Sequence, residues 1–296
     1  LGEDLMAGRV ALPRGTRLSP AALGLLASLG LGEVAVLRRL RVAYFSTGDE
    51  ILSLGQAPRE GAVYDSNRYT VSALLARLGV EVIDLGVVPD RPDALRAAFG
   101  QAAARADAVI TSGGVSVGEA DHTRAMMRQL GDVVFWRIAM RPGRPMAVGR
   151  IAAAAVDLQK KSGPGACPES ASSSQNNSDS AILFGLPGNP VAVMVTFLAF
   201  VRPALLRMMG ARPEPPVLLR AQSSQAIPKK PGRTEYQRGI VSTQPDGRLR
   251  VCTTGNQGSG VLSSMVQANG LIVLGHAQGD VAVGDEVSVM MFEGVL

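Results

Sequence analysis

Over the first two thirds of the chain, apolar positions fall into two alternating rhythms. Val42-Ala-Tyr-Phe45, Val80 to Leu85, Ala108-Val-Ile110 and Ile182-Leu-Phe184 are short continuous runs of the kind buried strands carry. Between them, Val71, Leu74, Leu75 and Leu78 keep the i, i+3, i+4, i+7 spacing of a helix that Gly79 ends, and Leu95, Ala98, Phe99 and Ala102 repeat the stripe. Thr123 to Leu130 predicts a further helix, and Val191 to Met209 a longer one kinked by Pro203. Strand alternating with helix predicts an α/β fold: a parallel sheet with helices on both faces.

The ends of the chain read differently. Ser19-Pro20 caps and opens a short helix, Ala21 to Leu29, closed by Gly30 and followed by a strand-like tail. Residues 1–39 are expected to be the remnant of an N-terminal, dimer-forming domain, since they are too short to build a core alone. Residues 40–212 form the expected α/β domain. Within it, 157–180 is rich in Ser, Asn, Gln, Gly and Pro, and is expected to be a disordered surface insertion. After the proline-rich run near Pro213, short apolar runs (Val217 to Leu219, Leu249 to Val251, Leu271 to Leu274, Glu286 to Met290) separated by Gly, Asp and Pro predict a small all-β domain over 213–296.

Composition narrows the chemistry. The 296 residues carry a net charge of +5, mostly through dispersed arginines. Without basic clusters interleaved with aromatics, small anionic substrates are a better inference than nucleic acid. Cys167 and Cys252 are too far apart for a CxxC site, and His122 and His276 too few for a His/Cys zinc site. The opening residues do not form a basic, apolar leader. The run Val191 to Val201, stopped by Arg202-Pro203, falls short of the ~20 residues of a spanning helix. The expectation is a cytoplasmic protein without a membrane segment.

Candidate chemistry lies where the predicted strands end. Ser46-Thr-Gly-Asp-Glu50 follows the first, Gly86-Val-Val-Pro-Asp90 the second, Thr111-Ser-Gly-Gly-Val-Ser-Val-Gly-Glu-Ala-Asp121 the third, and Gly185-Leu-Pro-Gly-Asn-Pro190 the last. In a parallel sheet, ligands collect beyond such carboxyl ends. The glycine loop lies between a strand and a helix start, where backbone N–H groups converge on an anion. Asp121 either caps that helix or enters the cavity. Glu50, Asp90 and Asp121 together suit Mg²⁺, which binds through one or two carboxylates plus substrate oxygens. Arg137 and Arg141, four apart, are read on one face of an extended strand, with Arg144 in the adjoining turn. They are either solvated or an oxyanion clamp. Leu186-Pro-Gly-Asn-Pro190 is either a tight turn or a backbone shelf for an anion.

Five segments together make a resemblance: Ser46-Thr-Gly-Asp-Glu50, Tyr64-Asp-Ser-Asn-Arg68, Ser112-Gly-Gly-Val-Ser-Val-Gly-Glu-Ala-Asp121, Met140-Arg-Pro-Gly-Arg-Pro145 and Leu186-Pro-Gly-Asn-Pro190. In this order the set resembles the molybdopterin molybdenumtransferase family, and Thr253 to Ser259 with Ser264 to Leu271 resembles its C-terminal β-domain. The resemblance implies a molybdopterin-binding domain and the insertion of molybdate into adenylated molybdopterin, with Mg²⁺ required and AMP released. It implies roles in activity for Glu50, Asp90, Asp121 and Asp4, the first three as metal ligands. It also implies a substrate-binding set of Thr47, Gly48, Ser112, Gly113, Gly114, Ser116, Gly118, Arg137, Arg141, Pro187, Gly188, Asn189 and Pro190. Relatives often carry lysine where Arg137 and Arg141 stand. The family further implies a homodimer with Asp4 contributed in trans, and the molybdopterin adenylyltransferase as a partner. The competing readings are that adenylyltransferase activity itself and a non-catalytic scaffold like gephyrin.

Overall fold

The computed structural model describes residues 4–115, 122–152, 180–212 and 214–293. Ser116, Gly118, Glu119, Asp121 and the expected insertion up to Asp179 lie outside the described residues. Along the first part of the chain run α1 (Pro20–Ser28), β1 (Arg41–Thr47), β2 (Ile51–Leu52), β3 (Val63–Tyr64), α2 (Ser66–Leu78), β4 (Glu81–Val88), α3 (Pro92–Arg105) and β5 (Ala108–Ser112). Then come α4 (His122–Leu130), β6 (Gly131–Arg137), β7 (Met140–Arg141), β8 (Pro145–Ala152), β9 (Ser180–Leu186), α5 (Pro190–Thr196), a π-helical turn (Phe197–Val201) and α6 (Arg202–Met208).

The main sheet has the order β4-β1-β5-β9-β8-β6. β4, β1, β5 and β9 are mutually parallel, as the alternation predicts. β8 and β6 extend the sheet antiparallel, so its parallel character stops at β9. Ser180, placed in the insertion by composition, already pairs with Ala152 as the first residue of β9. β1 shows why these strands read as continuous apolar runs. Successive side chains point to opposite faces, and both faces are covered. Val42 and Tyr44 pack under α2 and the helix that begins at Pro190, while Ala43 and Phe45 pack under α3 and α4. On the second face Phe45 meets Phe99 edge to face, with centroids 5.0 Å apart, a geometry worth about 0.5–1.5 kcal/mol beyond its buried area.

The stripe of α2 is buried as its spacing predicts. Asp65 Oδ1 accepts from the Arg68 N–H at its start, and Gly79 follows its last residue. The last helical run, Pro190–Met208, matches the predicted helix within one residue at each end, and by length and composition it suffices to cross a membrane, although its apolar run alone reads as too short. Val191, Val193, Val195, Phe197, Val201 and Leu205 are all buried against the sheet, however, which is the behaviour of a core helix. Its π-helical turn comes immediately before Arg202-Pro203, where a kink is expected.

α1 begins as expected, with Ser19 Oγ accepting from the Ala22 N–H. The tail that follows is not a strand: residues 31–40 carry no regular structure.

The C-terminal part contains β10 (Leu218–Ser223), β11 (Thr234–Thr243), β12 (Leu249–Thr253), α7 (Ser263–Gln267), β13 (Gly270–Leu274) and β14 (Glu286–Met291). Strands in the order β12-β10-β14-β13-β11 close on themselves through a β11–β12 pairing, making a small barrel. β7, far upstream of this region in sequence, pairs parallel with the start of β11: Met140 with Thr234 and Arg141 with Glu235. The chain therefore changes sheets between Arg137 and Met140. That corrects the expectation of one strand carrying Arg137 and Arg141 on a common face.

Candidate active site

The carboxyl ends of β1, β4, β5 and β9 open into one cleft of about 1040 Å³. Its floor and one wall are supplied by Thr47, Gly48, Asp49 and Glu50, then Asp90, then Gly113 to Val115, then Pro187 to Asn189. All four strand-end segments singled out in the sequence thus meet at one place, as a parallel sheet requires.

Gly113 is there because nothing larger fits. Its φ of 92° is left-handed, and a Cβ would collide with the Thr47 carbonyl oxygen. The loop after β5 can therefore lie directly against the end of β1. Asp90 is held from two sides. Thr123 Oγ1, in the first turn of α4, donates to Asp90 Oδ1 at 3.1 Å, and the Asp90 N–H donates to Asp49 Oδ1 at 3.3 Å. The Asp49 carbonyl in turn accepts from Arg59. Glu50 folds back over Gly48, its carboxylate oxygens against the bare Cα.

The lining also holds cations. Arg141 and Arg144 flank the Pro142-Gly143 turn, and Arg233 comes from the strand-start of the barrel. Gly143 has φ 95°, and a Cβ there would press on Thr196 Oγ1, so the turn is packed onto the helix below it. Arg233 Nε is bonded at 2.8 Å to Glu235 Oε1, a buried carboxylate whose other oxygen accepts from Gln237 Nε2. Gln257, Gly258 and Ser259 also line the cleft. Behind them lies Arg238, almost fully buried, with Nε on Ser264 Oγ and Nη2 on the carbonyls of Asn256 and Gly258. Burial, and then the charge of Arg141, push its pKa down to about 10. It stays charged at neutral pH and braces the loop that reaches the cleft.

Beneath the floor, Tyr44 Oη lies 2.7 Å from Ser112 Oγ and 2.8 Å from Ser46 Oγ. Burial raises the Tyr44 pKa well above its ordinary value, which keeps the phenol neutral. Ser112, expected among substrate-binding groups, is turned into this hydroxyl cluster and does not line the cleft. Arg137, at the exposed end of β6, and Pro190, at the start of α5, also stay off the lining, and so does Asp4, which is exposed. The structure brings together Thr47, Gly48, Glu50, Asp90, Gly113, Gly114, Arg141, Pro187, Gly188 and Asn189. Among the described residues no group of three His, Cys, Asp or Glu side chains converges as a metal cage.

Sequence reasoning assigned no role to Asp49, Thr123, Arg233 or Gln257. Thr123 carries a usable signal, a hydroxyl in the first turn of the helix after the glycine loop. Arg233 and Gln257 carry none, because only the docking of the barrel brings them to the cleft.

Known proteins match this architecture in two stretches. Residues 43–207 match the model of a probable molybdopterin binding domain, and residues 220–292 that of a MoeA C-terminal region, domain IV. A molybdopterin molybdenumtransferase of Haemophilus influenzae is 39% identical over all of this chain and 67% of its own length. One from Nostoc is 35% identical over 96% of the chain and 60% of its own length. Among solved structures, a molybdopterin biosynthesis MoeA protein from Pyrococcus horikosii superposes with a TM-score of 0.73 at 27% identity, covering 98% of this chain and 64% of the other. The chain thus spans roughly three fifths to two thirds of the length of these relatives. With both matched stretches contributing walls to one cleft, the chain belongs to the molybdopterin molybdenumtransferase family.

Proposed function

We propose that the chain inserts molybdate into the dithiolene of adenylated molybdopterin and releases AMP, with Mg²⁺ required. One observation carries the reading: a single cleft lined by Arg141, Arg144 and Arg233 together with Asp49, Glu50 and Asp90. Arginine forks suit tetrahedral oxyanions and phosphates, whose oxygens they bind in pairs. Arg141 keeps the positive charge that relatives often carry as lysine. The backbone loops at Gly114 and at Gly188-Asn189 add N–H groups for the same oxyanions.

The donor set fits Mg²⁺. Glu50 and Asp90 are hard oxygen donors, neither of them ion-paired among the described residues, and Mg²⁺ binds through one or two carboxylates plus substrate oxygens. Asp90 and Glu50 are assigned as the ligands, with Asp121 as a third. Bound there, the ion would polarise the phosphoanhydride that is cleaved. The protein's own part is to orient the two anions: Thr123 fixes one oxygen of Asp90, and the arginine wall draws molybdate toward the phosphate end of the substrate.

Asp4 belongs, on this reading, to the site of a second copy. It lies outside the cleft of its own chain, on a segment whose Leu23, Leu29, Leu31, Val36 and Leu37 are all exposed, an apolar face suited to burial in a two-fold homodimer. The molybdopterin adenylyltransferase, which makes the substrate, is the natural protein partner, and a cytoplasmic location suits this chemistry. The test combines light scattering with complementation. A dimer in which Asp4→Asn and Asp121→Asn variants, each inactive, recover activity on mixing is the expected result; a monomer at micromolar concentration contradicts the assembly.

A further inference from the structure

The segment Tyr64-Asp-Ser-Asn-Arg68 has no part in the chemistry above, yet one of its side chains reaches the cleft loops. Asn67 is buried, at 8% exposure, and its Nδ2 donates to the Gly188 carbonyl at 2.7 Å. Gly188 and Asn189 line the cleft; Asn67 does not.

The peptide between Gly188 and Asn189 is trans. A trans peptide points its carbonyl and the following N–H in opposite directions. With the Gly188 carbonyl drawn onto Asn67, the Asn189 N–H is turned away from Asn67, on a residue that lines the cleft. The ends of the loop are fixed separately: the Gly113 N–H donates to the Leu186 carbonyl at 3.2 Å, and the Val191 N–H to the Ser259 carbonyl at 3.1 Å. Asn67 holds the middle. A loop clamped at both ends still has freedom to flip its central peptide, and a flip would present a carbonyl to an incoming anion in place of a donor.

We propose that Asn67 is a positioning residue for the anion site, holding the Asn189 N–H ready to donate to an oxyanion. The inference rests on the functional reading above and deepens it. The oxyanion is either molybdate or the phosphate of the nucleotide, and the two are separable by titration.

The experiment is calorimetric titration of the 296-residue chain with molybdate and, separately, with AMP. Asn67→Asp keeps the shape of the side chain but sets a carboxylate oxygen against the Gly188 carbonyl. Asn189→Pro deletes the N–H directly, and Asn189 already has a φ of −68° and no side-chain capping bond, so proline fits its backbone. Each substitution is expected to weaken one of the two anions by about tenfold or more, the loss of one hydrogen bond to a charged group. The double variant is expected to be no weaker than the worse single, because both remove the same bond. A merely structural Asn67 predicts a lower melting temperature with unchanged affinity where the protein is folded, and that result overturns the proposal. Independent, additive losses overturn it as well. If Asn67→Asp does not fold, the Asn189→Pro titration decides alone, unchanged affinity being the contrary result. Failure of the unsubstituted chain to bind either anion overturns the functional reading, and this inference with it.

Discussion

Thr123 Oγ1 donates to Asp90 Oδ1 at 3.1 Å, tying the first turn of α4 to the loop that follows β4. Thr123 is fully buried and also lies 3.5 Å from Thr47 Oγ1. The end of β1 and the loop after β4 therefore converge on one hydroxyl of α4. Thr123→Val keeps the shape and removes the donor. The expected outcome is a fall in turnover of about tenfold, the size of one charge-assisted hydrogen bond, with a folded protein by circular dichroism. Unchanged turnover would show that Asp90 needs no such anchor.

Gly113→Ala tests the glycine loop. The new Cβ would strike the Thr47 carbonyl in a left-handed backbone conformation. A loss of more than about 1 kcal/mol of stability is expected, measured by denaturant unfolding, together with weaker anion binding. Gly247→Ala makes the comparison: it has a similar φ of 80° but no atom within 4 Å of the added methyl, so it carries backbone strain without a collision. The Gly113 variant should be the less stable of the two.

These contacts divide into what the sequence made legible and what it did not. β1, α2 and α3 were readable because their apolar spacing is local and both faces of the sheet are buried. The strand ends were readable because parallel topology sends them to one edge. β11 escaped notice because buried positions on both of its faces are polar: Glu235, Gln237 and Arg238 are buried and hydrogen-bonded. The placement of Arg137 and Arg141 failed for a related reason. Their spacing fits one strand, but the chain leaves the main sheet after Arg137 and joins the barrel at Met140, a tertiary event with no local signature. Arg233 and Gln257 reach the cleft only through that same docking.

The arginine wall makes a distinct prediction. Arg233→Lys keeps the charge but loses the planar fork that bonds Glu235 through Nε and leaves the other nitrogens for a ligand. KM for molybdate is expected to rise several-fold while the melting temperature stays nearly constant. An unchanged KM for Arg233→Lys beside a raised KM for the neutral Arg233→Gln would show that charge alone matters at this position.

Asp107 predicts how the protein responds to acid. Its carboxylate takes both guanidinium nitrogens of Arg38 at 2.7 Å, and the Arg41 N–H at 2.8 Å, fastening the N-terminal segment to the sheet. The bonds from Arg38 hold its pKa well below the usual carboxylate range, against the opposing effect of burial. A depressed folded pKa contributes stability that is fully present above the unfolded value, near 3.8, and is lost as pH falls through the folded one. Wild type should therefore exceed Asp107→Asn in melting temperature at neutral pH, and the gap should close as pH drops from about 5 toward about 2. Because Arg38 is largely exposed, salt should narrow the gap too. A gap independent of pH would assign the effect of the substitution to something other than this carboxylate's charge.

The most direct measurement supplies the purified chain with adenylated molybdopterin, molybdate and Mg²⁺, and counts molybdenum incorporated against AMP released. Equal amounts of the two, abolished by chelating the metal and by Asp90→Asn in a protein that remains folded, are the predicted result. AMP release that ignores molybdate, or wild-type insertion by Asp90→Asn, would contradict the assignment of this cleft as the place where the metal is inserted.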